Sequence, residues 1–292
     1  MIFISVRLNR DKVDVAEAEE LSKKLILKNF FSADLNINPL SHEEIDSVVS
    51  FISSSIRINE KLTRISFCID SNFAFLNVIP VDANLSDQEL SEHLFWEVSQ
   101  YFPGESGHKF TVRGYKFGEG NLSKALLVGV RKEMISFIKA IAERLKLKIS
   151  IIDIDHFASE NCLRERISPI RSRYFYRDFI LIGVKPTRID VSVFKNYEFR
   201  NYFYFIIGGE SDLMYFVVKL INDNISAGFE KFVFYGKFDL NFLNFIRSLL
   251  GEKFSVLNPI DTGLFLDVKV EPRLVPAFAP NIGLMLRMLW SG

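Results

Sequence analysis

The sequence has no net charge, no long apolar run and few cysteines, and each of these absences excludes a class of protein. Its 292 residues include 36 basic and 36 acidic side chains, so it lacks the overall basic field that attracts nucleic acid. The longest uncharged run, Leu274 to Leu286, has 13 residues, whereas a helix that spans a bilayer needs about twenty. Cys68 and Cys162 lie far apart in apolar surroundings, which indicates buried thiols in a reducing compartment.

An export signal and the common catalytic motifs are also missing. The first ten residues, MIFISVRLNR, have no basic leader before the apolar stretch and no small-residue cleavage site, so we expect a cytoplasmic protein. The sequence contains no GxSxG elbow, Walker A loop, CxxC pair or HExxH helix. It therefore gives no support to the hydrolase, P-loop and zinc-enzyme classes that these motifs mark.

Two short segments have weak alternatives as ligand sites. The residues from Asp153 to His156 include side chains that bind metals, but they lie where a strand leads into a helix, and Asp155 suits a helix N-cap there. Gly208-Gly209 precedes a helix and suits a bound phosphate, but Glu210 and Asp212 would repel an anion. We favour the structural interpretation of both segments.

The chain is rich in aromatic side chains, with 29 phenylalanines and nine tyrosines. Most of them are expected to fill a core, while some are expected to line a groove for an apolar partner segment.

Five arginines lie between Arg164 and Arg177. That segment suits contact with lipid headgroups or acidic protein, and we favour a solvated helix end between two domains.

Strand and helix patterns alternate along the whole chain. In the first half, strands are predicted near 2–6, 13–15, 64–70, 110–117, 125–130 and 149–154. Helices are predicted after the capping boxes Ser41–Glu44 and Ser86–Glu89, at 132–147, and at about 155–166. In the second half, strands are predicted at 179–183, 189–194, 199–207 and 231–235, with helices at 212–224 and 239–250. The strand, hairpin and helix order at residue 1 recurs near residue 179, which predicts an α/β protein with two related halves.

Four segments in the same order resemble the PilM family of type IV pilus assembly proteins. They are ELSEHLFWEVSQYFP (89–103), LLVGVRKEMISFIKAIAERLKLKISIIDIDHFASENC (126–162), FIIGGESDL (205–213) and FAPNIGLMLR (278–287). The resemblance implies an actin-like (ribonuclease H-like) fold of two lobes, like that of FtsA. The first lobe would comprise residues 1–177, with an FtsA/PilM-type inserted subdomain at about 73–150. The second would comprise residues 178–292, with a C-terminal helix, 281–290, that returns to the first lobe.

The nucleotide-binding loops depart from the family pattern. The family has aspartate and glycine in its two phosphate loops, where this sequence has Ile4-Ser5-Val6-Arg7 and Leu181-Ile182-Gly183. In the adenosine loop, Tyr235-Gly236-Lys237 replaces paired glycines. Only residues 210–230 stand in place of the second-lobe helical subdomain, so this subdomain would be reduced to about one helix. Without these groups a triphosphate and its magnesium have little to bind, and we expect no cofactor and no catalysis.

The resemblance also implies a partner. The PilM family holds the short N-terminal cytoplasmic tail of the inner-membrane protein PilN in a groove between its first and inserted subdomains. An extended segment with apolar side chains would dock in aromatic pockets. We expect this site among the elements from 73 to 110, with five candidate residues: Phe75, Phe95, Trp96, Tyr101 and Phe102.

The predicted function is a non-catalytic scaffold, peripheral to the inner membrane through its partner and in contact with other pilus assembly components. Zero net charge does not oppose self-association. Two alternatives stay open. One is the cytoplasmic domain of a type II secretion GspL-like protein, which shares the fold and continues into a membrane helix. The other is an ATP-binding ATPase of the PilM type, supported only by Gly183, Gly208, Gly209 and Gly236.

Overall fold

The computed structural model describes residues 1–103, 107–118, 123–168, 171–236 and 238–291. Lys237, which stands in place of a glycine of the adenosine loop in the sequence comparison above, lies outside these residues.

Within these ranges the strands form four sheets. The strands are β1 (Ile2–Leu8), β2 (Val13–Leu21), β3 (Lys24–Ala33), β4 (Thr63–Ile69), β5 (Ala74–Val81), β6 (Phe110–Phe117), β7 (Ser123–Arg131), β8 (Ile149–Ile154), β9 (Arg164–Ser168), β10 (Arg171–Tyr174), β11 (Phe179–Val184), β12 (Arg188–Lys195), β13 (Glu198–Ile206), β14 (Lys231–Gly236), β15 (Phe254–Val256) and β16 (Phe265–Val268). The helices are α1 (His42–Ser55), α2 (Asp87–Tyr101), α3 (Lys132–Arg144), α4 (Asp155–Glu160), α5 (Glu210–Asn224), α6 (Leu240–Leu250) and α7 (Ala279–Ser291).

Five strands of the first large sheet have the same topology as the five strands of the second, which confirms the related halves. The first sheet has the order β16-β3-β2-β1-β4-β8 and the second has the order β13-β12-β11-β14-β15. In each, three antiparallel strands form a meander, and a helix then leads to a strand parallel to the first. We call the first sheet and the elements packed on it the first lobe, and the second sheet with its helices the second lobe.

Each large sheet is buried on both faces because its strands alternate between two cores. On β1, Ile4 and Val6 face an outer core with α1 and α3, while Phe3 faces an inner core between the sheets. On β11, Ile180 faces an outer core with α5 and α6, while Leu181 faces the inner core. Helices α4 and α7 pack against each other between the lobes. The result is a five-layer arrangement in which the inner layer joins the two lobes.

A third, smaller sheet carries the predicted partner-binding segment. Its strand order is β5-β7-β6, and α2 covers one face through Leu90, Leu94 and Val98. The capping box predicted at the start of α2 is present: Ser86 Oγ accepts from the Glu89 N–H at 3.3 Å, and the Glu89 carboxylate accepts from the Ser86 N–H at 2.8 Å. The other face of the sheet packs on the core of the first lobe.

Strand β16 and helix α7, both beyond residue 177, lie against the first lobe. Strand β16 pairs in parallel with β3. The Asn281 side-chain amide of α7 donates to the carbonyls of Ser5, at 3.0 Å, and Asp14, at 3.2 Å. The division at residue 177 and the limits 73–150 for the inserted subdomain stay predictions.

Several sequence expectations are wrong in detail. The helix predicted from about 155 to 166 ends at Glu160 and continues only as a short 3-10 turn to Leu163. The arginine-rich segment that follows is not a solvated helix end but the hairpin β9–β10, in which the Arg164 guanidinium lies over the Tyr174 ring at 4.6 Å. At the start of α1, Ser41 is the N-cap residue but makes no side-chain capping bond. Strands β3 and β16 were not predicted.

No helix in the described part of the chain is long and apolar enough to cross a membrane. Cys68 and Cys162 are both buried and unpaired with each other, as expected.

Candidate functional site

Two hairpins, one from each lobe, face each other across a cleft. In the first lobe the turn between β1 and β2 is closed by a bond from the Asn9 N–H to the Lys12 carbonyl, at 2.9 Å. In the second lobe the turn between β11 and β12 is closed in the same way, from Lys185 N–H to the Arg188 carbonyl at 2.9 Å. The stretches that the family resemblance matches to the two phosphate loops, Ile4–Arg7 and Leu181–Gly183, lie in β1 and β11, the first strands of these hairpins.

The cleft between the hairpins contains a group of charged side chains that pair with one another. We call this group the cleft cluster: it comprises Arg7, Asp70, Ser71 and Asp155 of the first lobe and Lys185, Arg188 and Asp190 of the second.

Lys185 is at the centre of the cleft cluster. Its ammonium lies 2.6 Å from Asp155 Oδ1, 2.9 Å from Asp190 Oδ2 and 3.7 Å from Asp70 Oδ1. It also donates to Ser71 Oγ at 2.6 Å. The side chain is 2% exposed, so these contacts are shielded from solvent. One cation from the second lobe thus neutralises carboxylates from both lobes.

Two arginines complete the charge balance. Arg188 Nε donates to Asp190 Oδ1 at 2.7 Å, and Arg188 Nη2 donates to the Tyr202 hydroxyl at 2.7 Å. Arg7 Nη2 donates to Asp155 Oδ2 at 2.8 Å. The cleft cluster therefore holds three cations and three carboxylates, and buried charges are tolerated when they are paired in this way.

The charges of the cleft cluster shift the pKa values of its members. Burial by itself lowers the pKa of Lys185, but Asp155, Asp190 and Asp70 outweigh burial and raise that pKa above its usual value. Burial by itself raises the pKa of Asp190, but Lys185 and neighbouring cationic groups hold it well below its usual range. Both groups are therefore charged at neutral pH.

A second string of hydrogen bonds lies beside the cleft cluster. Tyr235 OH and Ser192 Oγ lie 2.9 Å from His156 Nδ1 and Nε2, respectively, and Ser192 Oγ donates to Glu160 Oε1 at 2.8 Å. Burial lowers the pKa of His156 to about 4, so its ring is neutral. A neutral imidazole donates one hydrogen bond and accepts one, and the hydroxyls of Tyr235 and Ser192 can take the two complementary roles. All four side chains are buried, so this serine–histidine pair is not exposed at the surface.

The glycines that supported an ATPase alternative have other roles. A Cβ on Gly183 would lie 2.4 Å from the Tyr235 hydroxyl, and a Cβ on Gly236, which has φ +115°, would lie 2.1 Å from the Val184 carbonyl oxygen. These two positions therefore require glycine because other residues of the same chain approach them closely. At the start of α5, the Gly208 N–H donates to Asp212 Oδ2 at 2.8 Å, so an acidic side chain occupies this helix N-terminus.

The side chains of Asp153, Asp155 and His156, considered above as metal ligands, pair with other side chains of the protein. Asp153 pairs with Arg287, Asp155 accepts from the cations of the cleft cluster, and His156 bonds Tyr235 and Ser192. Asp155 was predicted to be the N-cap of α4. It is instead the first residue of the helix, and its carboxylate is turned into the cleft. In the described ranges no three His, Cys, Asp or Glu side chains are placed to hold a metal ion.

The fold and this cleft can now be compared with known proteins. Residues 6–204 match the model of the family described as type IV pilus assembly protein PilM, which is more than half of the 292 residues. The chain belongs to the PilM family. No curated protein sequence matches this PilM family member.

Similarity to solved structures shows the fold of this chain. A structure of a PilM–PilN type IV pilus biogenesis complex is 14% identical, covers 98% of each chain and has a TM-score of 0.72. A Bacteroides thetaiotaomicron protein with an actin-like ATPase fold is 13% identical over 90% of this chain and 95% of its own, with a TM-score of 0.56. The cytoplasmic domain of EpsL, an inner-membrane component of the type II secretion system of Vibrio cholerae, is 6% identical over 99% and 95%, with a TM-score of 0.54. This PilM family member therefore has the actin-like fold. Between β13 and β14 its second lobe has the single helix α5.

The five aromatic residues predicted to bind a partner lie in three places on the small sheet and α2. Phe75, Tyr101 and Phe102 lie together at the C-terminal end of α2, with ring centroids 4.8 Å apart for Phe75 and Tyr101 and 5.4 Å apart for Phe75 and Phe102. Phe95 contacts the His108 ring at 5.3 Å. Trp96 lies on the side of α2 away from the sheet. Tyr101 and Trp96 are about half exposed, at 52% and 54%, and are the two that a partner reaches most easily. Their role in binding stays a prediction.

Two grooves lie near these aromatic residues. A groove of about 360 Å³ separates α2 from the edge strand β6, and one of about 500 Å³ separates the segment from Pro39 to Ile45 from α3. None of the five predicted residues lines either groove. The larger groove contains Leu40, which is 77% exposed, and reaches Lys132 at the start of α3, directly after the last strand of the small sheet.

Sequence reasoning did not find the cleft cluster. A signal was present in β12, where Asp190 and Ser192 alternate with Ile189, Val191 and Val193. The face with Ile189, Val191 and Val193 is apolar and belongs in a core. Because the strand is therefore central, the small polar side chains on its opposite face indicate buried polar partners. Those partners come from the residue after Asp70, from the β11–β12 turn and from α4, and most of these contacts are tertiary, so no local pattern identifies them.

Proposed function

We propose that this PilM family member is a non-catalytic scaffold of the type IV pilus assembly machinery. It acts at the cytoplasmic face of the inner membrane and binds the N-terminal cytoplasmic tail of a PilN-like membrane protein. Family membership supports the pilus context, and the fold shared with the PilM–PilN complex is consistent with a partner of the same kind.

The cleft cluster is the observation that carries the non-catalytic part of this proposal. Lys185 already binds the carboxylates that a metal ion would need, and the three cations and three carboxylates leave no net charge for a triphosphate. The Tyr235 ring lies against Gly183 on β11, where a nucleotide would require open space. Nucleotide binding would therefore require several buried ion pairs to be broken.

Calorimetric titration of the purified protein with magnesium ATP tests this part. We expect no heat of binding at protein concentrations able to detect a dissociation constant of about 100 μM. Saturable binding would refute the non-catalytic proposal and return the ATPase alternative to first place.

The partner is tested separately, with a synthetic peptide that has the sequence of the N-terminal tail of the PilN-like protein from the same organism. We expect saturable binding that Trp96→Ala or Tyr101→Ala weakens. Tyr215→Ala is the matched control, because Tyr215 is 63% exposed but lies on α5 of the second lobe.

A third variant, Leu40→Glu, separates two locations for the tail. If Leu40→Glu weakens binding and both aromatic variants do not, the tail lies in the groove beside α3 and the predicted residues are wrong. If the wild-type protein binds no peptide, the PilN-like partner is wrong.

A further inference from the structure

The two lobes are joined across the cleft by bonds that involve no ligand. Lys185 of the second lobe donates to Ser71 and pairs with Asp155 of the first, each at 2.6 Å. Ser71 Oγ in turn donates to Asp190 Oδ2 at 2.7 Å, and Arg188 Nη1 donates to the Ser71 carbonyl at 3.3 Å. The cleft cluster thus ties the end of β4 and the start of α4 to the hairpin β11–β12.

A second set of cross-lobe bonds lies deeper between the lobes. His156 and Glu160 of α4 bond Ser192 of β12, at 2.9 Å and 2.8 Å, and His156 also bonds Tyr235 of β14 at 2.9 Å. Glu160 adds a contact from the next turn of α4, and Tyr235 adds a second-lobe strand, β14, that the cleft cluster does not include. A rotation of one lobe about the other would therefore have to break both sets together.

We propose that the cleft cluster is an interlobe clamp, centred on Lys185, that holds the two lobes in one closed arrangement without any ligand. Partial opening would leave buried charges without partners, and an unpaired buried charge is far more costly than an unpaired surface charge. The clamp therefore favours a single closed state and opposes intermediate angles. This inference does not depend on the proposed pilus function.

The distribution of distances between the two lobes tests the clamp directly. Ser53 on α1 and Asn244 on α6 are exposed residues of the first and second lobes, and Ser53→Cys with Asn244→Cys provides sites for two nitroxide labels. Because Cys68 and Cys162 are buried, the chain without these substitutions should take up little label, which is checked first. Double electron–electron resonance then gives the distribution of interlobe distances in the full-length protein.

We expect one narrow distance in the ligand-free protein. Lys185→Met should cause loss of the single narrow peak, whereas Lys219→Met, which removes an exposed lysine paired with Asp223 within α5, should leave it unchanged. A broad or multiple distribution in the ligand-free wild type overturns the clamp, and so does an unchanged narrow peak in folded Lys185→Met.

A milder variant covers the case in which Lys185→Met does not fold. Ser71→Ala keeps all six charges and removes two cross-lobe hydrogen bonds, so it should broaden the distance distribution. An unchanged distribution in this variant overturns the inference. Failure of the non-catalytic proposal appears elsewhere, as heat in the magnesium ATP titration, and is thus distinguished from failure of the clamp.

Discussion

Replacing Lys185 by methionine should destabilise the folded protein strongly, because it removes the cation shared by the carboxylates of the cleft cluster. Methionine has a similar length, so the loss is mainly one of charge and hydrogen bonds. Three carboxylates would then face two arginines, with Asp155 and Asp190 no longer in contact with an ammonium at 2.6 and 2.9 Å. Removing one partner of a buried ion pair costs about 3–5 kcal/mol.

An exposed ion pair with the same N–O distance provides the control. The Lys219 ammonium lies 2.9 Å from Asp223 Oδ2, the same separation as between Lys185 and Asp190, but its side chain is 49% exposed. Solvent screens such a pair, so Lys219→Met should leave the free energy of unfolding nearly unchanged. Any difference between the two variants therefore reports burial and the number of partners, and not the N–O distance.

Urea denaturation, followed by far-ultraviolet circular dichroism, measures both free energies of unfolding if the transition is cooperative. In the wild type, the lowered pKa of Asp190 contributes stability above the usual aspartate pKa, and this contribution is lost as the pH falls through the folded-state pKa. In Lys185→Met, protonation neutralises the carboxylates that have lost their ammonium partner. The loss of unfolding free energy caused by the substitution should therefore become smaller toward acidic pH. A penalty below about 1 kcal/mol, within the range of an exposed pair, would refute the argument that the cleft cluster is buried and tightly paired.

Three further predictions test other parts of the structure. Burial raises the pKa of Glu160 from its usual 4.5 to about 7, so the stability gained by its protonated form is lost as the pH rises through this range. Glu160→Gln should therefore gain up to ~3 kcal/mol relative to the wild type between pH 4.5 and 7, and a pH-independent difference in urea unfolding would contradict this. Gly236→Ala should lower the melting temperature because a Cβ would lie 2.1 Å from the Val184 carbonyl oxygen, and an unchanged melting temperature would contradict that contact. Ser86→Ala should cost about 1 kcal/mol in urea unfolding by removing a capping bond, whereas Ser41→Ala, at a cap without such a bond, should cost less.

Much of the fold follows from local patterns. The alternation of Ile4 and Val6 with Phe3 on β1 places both faces of a strand in cores, and the same pattern recurs on β11 with Ile180 and Leu181. Since such patterns depend only on strand period and burial, the two related halves could be predicted from the sequence.

Other elements were not predictable because distant residues stabilise them. Strand β16 forms only because β3 offers a free edge more than two hundred residues earlier in the chain. The hairpin β9–β10 was mistaken for a helix end because its arginines suggested solvent, whereas Arg164 lies over the Tyr174 ring and donates to its hydroxyl. A long side chain of this kind packs its apolar part and its charge in different environments, which composition does not reveal.

The sequence by itself determined the α/β architecture, the related halves, the family and the departure of its loops from the nucleotide-binding pattern. Only the tertiary structure decided what takes the place of those loops. Arg7, Asp155 and Lys185 are separated by 148 and 30 residues along the chain, and each alone is an ordinary charged residue. They become a buried, neutral cluster because the two sheets and α4 bring them within hydrogen-bonding distance, and electrostatic pairing depends on distance in space and on exclusion of water.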